Sequence, residues 1–188
     1  ILGRLVGSEM CIRDRDKDLN TGINNASDLA SVMNSAYDRM TPSGYYGRNQ
    51  IIMGDVRTDN AYSNVNSGRF TDSDMDYSPN GAGPWGTIYR AIAICNIVIG
   101  SDITSLDGDQ AAMTHTQGQA HALRALLHFD LLQDYGQHFI SGAGGAGALG
   151  VPYVKTYKDP ANLSPARDTA GSNLGDIVGD LQTGISMM

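Results

Sequence analysis

One long segment near the middle of the chain, residues 109–135, constrains the fold more than any other feature of the sequence. At the helical angle of about 100° per residue, one apolar stripe contains Ala120, Arg124, Leu127, Leu131 and Tyr135. A second apolar stripe on nearly the opposite side contains Ala122, Ala125, Phe129 and Leu132. A helix that is apolar on two sides is packed on two sides, so we predict an inner helix. The guanidinium of Arg124 then needs a carboxylate or several carbonyls, because an unpaired buried charge is very costly.

Three further segments have the hydrophobic spacing of amphipathic helices. They lie at about 27–41, 84–101 and 172–187. Ser27 is the predicted N-cap of the first helix, and Thr41-Pro42 ends it. Residues 49–62 also look regular, and "VPYVKTY", residues 151–157, predicts a short extended segment. The sequence therefore predicts a mainly α protein of antiparallel helix pairs in a repeat-like stack, with long irregular loops.

The length of 188 residues suits about one domain, and the formal net charge is −7. An acidic chain of this kind lacks the basic surface that nucleic acid or an anionic lipid surface requires, so we predict neither as a direct partner. No run of about 18 apolar residues is present, so no transmembrane helix is predicted.

The N-terminal residues are predicted to have a different origin from the rest. Residues 5–15, "LVGSEMCIRDR", resemble the in-frame translation of a transposase adapter used to build sequencing libraries. We therefore predict that residues 1–15 are non-native and that fold reasoning applies to residues 16–188. Cys11 then falls outside the natural protein, which leaves Cys95 without a disulfide partner. The absence of a signal peptide in this sequence is no argument against export.

An acidic loop carries the one metal-like pattern. Asp72, Asp74 and Asp76 alternate as at the start of a calcium loop, but Tyr77 and Gly83 stand where that loop needs Gly and Glu. A solvated acidic loop is the favoured interpretation, and a weak structural calcium site is the alternative. No other cofactor is predicted.

No catalytic pattern stands out either. The four histidines have no metal-ligand spacing, and no nucleophile–base pair or carboxylate pair can be singled out. The glycine-rich residues 142–147 formally match a dinucleotide fingerprint, but they follow a helix and precede an extended segment, which favours a loop. We therefore predict that the protein is not an enzyme.

Aromatic residues are concentrated in one region: eight of the thirteen lie within residues 37–89, several in predicted loops among Asn, Asp and Arg. Sugars stack their apolar ring faces on aromatic side chains, while amides, carboxylates and Arg bind the hydroxyls. The predicted ligand-binding residues are Tyr45, Tyr46, Arg57, Asp59, Asn60 and Trp85. The alternative is that most of these rings pack loops onto the helices.

Six segments in a fixed order resemble the N-terminal part of a SusD/RagB-family protein. They are "DLASVMNSAYDRM", "GDVRTDNAY", "WGTIYRAIAICNIVI", "GQAHALRALLHFDLLQDYGQHF", "GVPYV" and "ARDTAGSNLGDIVGDLQTGI". The most specific is the fourth, with small residues, Leu-Arg-Ala, an aromatic, Leu and then Tyr-Gly. One departure is a glycine-rich insertion at residues 141–149.

The resemblance implies a tetratricopeptide-like stack of helices in which Arg124 is a structural arginine of an inner helix. Tyr135-Gly136 would end that helix, with Gly136 suited to the left-handed C′ position. Family members run to several hundred residues, so the chain is expected to be an N-terminal part that lacks the C-terminal half of a SusD-like protein.

The function implied by the resemblance is nutrient uptake. Such a protein would bind oligosaccharides without cleaving them and deliver them to a SusC-like TonB-dependent transporter. It would lie on the extracellular face of the outer membrane, attached only by an N-terminal lipid anchor that this chain lacks. Two alternatives remain open. A helical-repeat adaptor that binds protein would use the same helices, and a carbohydrate-active enzyme would need two carboxylates about 5–10 Å apart across one cleft.

Overall fold

The computed structural model describes residues 22–64, 66–71, 74, 83–137, 139–140, 142, 144–160 and 164–188. These residues form five α-helices: α1 Ala26–Asp38, α2 Asn49–Val56, α3 Trp85–Gly100, α4 Gln110–Tyr135 and α5 Ala170–Met187. No strand occurs within them, which confirms the mainly α fold. None of the helices in the described ranges is long and apolar enough to cross a membrane. The predicted adapter-derived residues 1–15 lie outside the described part of the chain.

Helix α4 is the central element, because it packs against α1 and α3 on one side and against α5 on the other. The buried side chains of Leu123, Leu127 and Leu131 join the core that α1 and α3 share with it. This arrangement confirms the prediction of an inner helix, and it explains why the α4 sequence shows two apolar stripes.

Helix α1 begins earlier than predicted. Its N-cap is Asn25, and not Ser27, because the Asn25 side chain accepts a hydrogen bond of 2.9 Å from the backbone N–H of Asp28. The Ala26 N–H donates to the carbonyl of Asp107 at 2.9 Å, which ties this end of the helix to the loop before α4. An Asn side chain satisfies one of the first free N–H groups of a helix as well as Ser does, so both residues were equally good caps in sequence.

The end of α4 also differs from the expectation. Gly136 has φ −70° and ψ 156°, an extended conformation and not the left-handed one. A Cβ at this position would collide with the carbonyl oxygen of Leu132, which accepts a hydrogen bond from the Gly136 N–H. Glycine is therefore required here by close approach to the last turn of α4, and not by a positive φ.

Residues 151–157, predicted to be extended, lie in no strand. The amide of Asn173 donates to the carbonyl of Val151 and accepts from its N–H, at 2.9 and 2.8 Å. The Val154 N–H donates to His128 Nε2, and the Val154 carbonyl accepts from Asn96 Nδ2. Further backbone groups of residues 150–155 bind the side chains of Tyr89, Arg124, Arg167 and Asp168. Side chains, most of them from the helices, and backbone hydrogen bonds with Asp168 thus take the place of a sheet, so that the buried backbone groups are satisfied.

Candidate functional site

A cleft opens where residues 152–159 meet the first turns of α3, and we call it the aromatic cleft. Its volume is about 570 Å³. The lining residues are Trp85, Tyr89, Pro152, Tyr153, Val154, Lys155, Thr156, Lys158, Asp159 and Pro165. Three aromatic rings, two prolines and a few polar side chains are the mixture expected of a site for a small organic ligand.

Trp85 is the most open ring of the aromatic cleft, with 40% of the residue exposed. Its indole lies 4.8 Å from the rings of both Tyr89 and Tyr135, tilted against the first and edge-on to the second. The backbone N–H of Trp85 donates to Tyr135 Oη, and that hydroxyl donates to the Gly83 carbonyl. The indole is therefore fixed by two tyrosines while part of it remains accessible from solvent.

The other two rings are held through their hydroxyl groups. Tyr89 Oη donates to the Pro152 carbonyl at 2.8 Å, and Tyr153 Oη donates to Asp180 Oδ2 at 2.6 Å. Burial raises the pKa of both phenols, with the neighbouring carboxylates as a second cause. Both phenols therefore stay neutral at physiological pH. Their hydrogen bonds hold the two rings in place without a ligand.

A buried histidine supports the floor of the cleft. The His128 ring stacks on the Tyr153 ring with centroids 3.8 Å apart and planes 16° apart. Its Nδ1 lies 2.9 Å from the Arg124 carbonyl, and its Nε2 accepts from the Val154 N–H at 3.1 Å. This pair of contacts requires the neutral ring protonated on Nδ1. Burial lowers the pKa of His128 to about 4, in agreement with a neutral ring.

Arg124, the charged residue within the apolar stripe of α4, binds side chains of α5 and α3. Its Nε and Nη2 donate to the two oxygens of Asp180 at 2.7 and 2.6 Å, and its Nη1 donates to Asn96 Oδ1 at 2.7 Å. Burial alone would raise the pKa of Asp180, but hydrogen bonds from Arg124, Tyr153 and His121 together lower it to about 2. The ion pair therefore links α4 to α5 and anchors the Tyr153 hydroxyl.

Two lysines supply positive charge at the cleft. Lys155 Nζ donates to Asp176 Oδ1 at 2.7 Å and lies 5.7 Å from the Tyr153 ring centroid. Lys158 Nζ lies 5.2 Å from the ring centroid of Tyr157. Cation–π contacts of this length hold a flexible ammonium near an aromatic surface without burying it.

The predicted tyrosines lie elsewhere. Tyr45 is fully buried, and its hydroxyl donates to Asp130 Oδ2 at 2.5 Å. Tyr46 is partly buried, and its hydroxyl donates to Asp130 Oδ1 at 3.2 Å. The two rings pack against each other with centroids 4.7 Å apart. In this structure the pair packs the loop after α1 onto α4, and the Tyr45 ring presents no face to solvent.

The predicted polar residues are also apart from the aromatic cleft. Arg57 lines a second pocket of about 260 Å³, together with Gln50, Gln133 and Asp134 among others. Asp59 and Asn60 are exposed in the turn after α2. Of the six predicted ligand-binding residues, Trp85 alone lines the aromatic cleft.

Nine of the ten lining residues were not among the predicted ligand-binding residues, and the aromatic and cationic ones among them are Tyr89, Tyr153, Lys155 and Lys158. Tyr89 belongs to the aromatic-rich region of residues 37–89 but is not among the predicted ligand-binding residues. A signal was available in residues 152–160, "PYVKTYKDP", where two tyrosines and two lysines stand between prolines. Only the fold brings this segment against α3.

The calcium alternative remains a prediction. Of the three aspartates, Asp74 lies within the described residues, and Asp72 and Asp76 lie outside them. Within the described ranges no group of three or more His, Cys, Asp or Glu side chains could hold a metal ion.

The comparisons with known proteins agree with the fold. The family model described as SusD-like, "starch-binding associating with outer membrane", matches residues 13–188. A solved SusD superfamily protein from Bacteroides vulgatus ATCC 8482 is 25% identical with a TM-score of 0.76, over 88% of this chain and 38% of that one. A putative sugar binding protein from the same organism is 25% identical with a TM-score of 0.66, over 89% and 38%.

A SusD superfamily protein from Bacteroides thetaiotaomicron VPI-5482 shares the fold at 22% identity, with a TM-score of 0.70 over 87% of this chain and 37% of that one. The chain thus spans less than two fifths of the length of these solved relatives. No curated protein matches it.

Proposed function

Because the chain belongs to the SusD-like family described as starch-binding and associating with the outer membrane, we propose that it binds oligosaccharides in the aromatic cleft. The observation that carries this proposal is the half-open indole of Trp85 beside the fixed rings of Tyr89 and Tyr153. A sugar ring places its apolar C–H face on such a surface, and the lysines and Thr156 are available to its hydroxyl groups.

The proposal extends to the place and partner of the whole protein. We infer that it acts at the extracellular face of the outer membrane and delivers its ligand to a SusC-like TonB-dependent transporter. The family description supports the membrane association. Co-purification of the full-length protein with a TonB-dependent transporter from outer membranes would test the partnership, and a protein recovered without any transporter would contradict it.

Binding without cleavage is part of the proposal. Asp159 is the one carboxylate among the described residues that line the aromatic cleft. Glycoside hydrolysis ordinarily needs two carboxyl groups about 5–10 Å apart across the scissile bond. Incubation with bound oligosaccharides should therefore release no new reducing ends, as measured by chromatography.

The test of the binding site is substitution of its open ring. Trp85→Ala should weaken oligosaccharide binding at least about tenfold, since a central aromatic anchor contributes about 1.4 kcal/mol or more. Tyr62→Ala is the matched control, because Tyr62 is 81% exposed and does not line the cleft. Binding would be measured by calorimetry with the best ligand from a glycan array. Equal binding by the two variants would remove the cleft from the proposal.

The adaptor alternative has one structural observation in its favour. The outer sides of α4 and α5 carry exposed apolar residues, which we call the α4–α5 apolar face. Its residues are Leu126, Phe129, Val178, Leu181 and Ile185. Exposed apolar surface of this kind is typical of a protein contact. Binding of no glycan at all would favour this alternative.

A further inference from the structure

Positive charge is distributed unevenly in this acidic chain. The formal net charge is −7, and the sequence contains three lysines, Lys17, Lys155 and Lys158. Two of the three line the aromatic cleft, three positions apart. Two of the 13 basic residues of the chain thus line the cleft that also contains the Trp85 indole.

The backbone at Lys158 supports the same view. Lys158 has φ +48°, in the left-handed region that side chains other than Gly, Asn and Asp rarely adopt. Its ammonium lies over the Tyr157 ring, next to Asp159 and Pro160 in sequence. Unfavourable backbone conformations that persist tend to occur where a side chain must be presented in one place. Lys158 is exposed and lines the cleft.

The charges of the cleft do not cancel within its lining. Lys155 and Lys158 contribute two positive charges, and Asp159 contributes one negative charge. Asp176, which binds Lys155 from α5, is not part of the lining. A ligand in the cleft therefore meets the Trp85 indole, the Lys158 ammonium and the Lys155 ammonium, which also binds Asp176.

We propose that the ligand of the aromatic cleft is an anionic oligosaccharide, whose sugar ring stacks on Trp85 while a carboxylate or sulfate group binds Lys158 and Lys155. This inference rests on the proposed function, since it names the class of glycan for the same site. Both anionic groups have the same requirement, an ammonium donor at the edge of an aromatic surface.

The test compares glycans that differ only in charge. The purified chain is applied to an array that pairs oligosaccharides bearing uronic acids or sulfates with their methyl-esterified or desulfated counterparts of equal length and linkage. The charged member of a bound pair should bind roughly three- to tenfold more tightly, the range expected for one or two charge-assisted hydrogen bonds. Separate uronate and sulfate series distinguish the two anionic groups.

Variants separate charge from packing. Lys158→Gln keeps most of the side-chain stem and should reduce binding of the charged glycans toward that of the neutral ones, with a much smaller loss for the neutral ones. Arg39→Gln is the control, because it makes the same change in net charge at the exposed C-terminal end of α1. Trp85→Ala should weaken both members of each pair.

Each outcome is informative. Equal binding of charged and neutral partners, or an equal loss for both with Lys158→Gln, overturns the anionic preference and leaves glycan binding intact. Binding of no glycan by the folded wild-type chain overturns this inference and the proposed function together.

Discussion

Arg124 shows how a single residue decides the way two helices pack. The guanidinium is 4% exposed and donates to a carboxylate of α5, an amide of α3 and the Lys155 carbonyl. A leucine at this position would pack equally well but would not select a partner. The arginine accepts only a neighbour that brings acceptors into this geometry, and Asp180 is that neighbour.

The Arg124–Asp180 ion pair predicts that a single isosteric substitution strongly destabilises the fold. Asp180→Asn should lower the free energy of unfolding by about 3–5 kcal/mol, because it leaves the buried charge of Arg124 without its counter-ion. Asp176→Asn, at the exposed pair with Lys155, should cost less than about 1 kcal/mol. Urea unfolding followed by circular dichroism measures both. Similar losses for the two variants would show that Arg124 finds other acceptors.

His128 predicts a pH dependence whose direction follows from its pKa. Burial lowers the pKa of the folded state to about 4 from an ordinary 6.5, so the unfolded chain binds one more proton between these values. The stabilisation from neutral His128 is thus complete above pH 6.5 and is lost as the pH falls toward 4. It amounts to about 3 kcal/mol.

The comparison of His128→Gln with wild type isolates this effect. The difference between their free energies of unfolding should shrink by up to that amount between pH 7 and pH 4. Burial also raises the pKa of Asp130 and Asp134, but these groups are common to both proteins and cancel in the difference. His115→Gln, at an exposed position of α4, is the control variant. A difference in the free energy of unfolding that stays constant between pH 7 and pH 4 would show that burial does not lower the pKa of His128.

At the scale of elements, one glycine on α4 and one on α5 allow the two helices to pack closely. A Cβ on Gly184 would lie 2.8 Å from the Gly118 carbonyl oxygen, and a Cβ on Gly118 would lie 3.0 Å from the Gly184 carbonyl oxygen. The absence of both side chains lets the helix backbones meet closely enough for the Arg124–Asp180 pair to form. Glycine in a helix is otherwise unfavourable, so its presence here is explained by this contact.

Alanine substitutions at two glycines of α5 should therefore change the stability of the fold in opposite directions. Gly184→Ala should destabilise the fold by about 1–3 kcal/mol, because the added carbon forces two backbones apart. Gly179→Ala faces open space and should stabilise it by about 0.5–1 kcal/mol through the better helix propensity of alanine. Thermal unfolding of the two variants provides the measurement. A stabilising Gly184→Ala would contradict the close crossing of α4 and α5.

At the scale of the whole molecule, the exposed side of α5 carries a row of apolar residues. Ile185 is 72% exposed, and it continues the row of Val178 and Leu181 along the outer side of α5. Next to this row, Phe129 and Leu174 line a groove of about 280 Å³ between α4 and α5. A surface of this composition favours association in water.

We expect the 188-residue chain to self-associate through this face. Val178→Lys with Ile185→Lys should shift it toward the monomer without loss of helix content. Gln182→Lys with Ser186→Lys adds the same charge to exposed positions of the same helix and should have a smaller effect. Size-exclusion chromatography with light scattering measures the mass. A wild-type chain that is monomeric at all concentrations would contradict the prediction.

The sequence by itself determined the helices and their order. Apolar residues at helical spacing are a local property, so four of the five helices were predicted within a few residues of their observed ends. The two stripes of α4 likewise required a helix packed on two sides and a partner for Arg124. Local sequence patterns left undecided only which of two similar residues takes a position, such as Asn25 or Ser27 as the N-cap of α1.

Only the tertiary structure decided which residues meet. It selected Asp180 among the acidic residues as the partner of Arg124, and it buried Tyr45, which the sequence did not distinguish from an exposed ring. It also placed residues 152–159 against Trp85, more than sixty positions away, to form the aromatic cleft. The physical reason is that helical periodicity repeats over a few residues, whereas a site depends on distances between side chains that are far apart in the chain and become neighbours only when the helices pack.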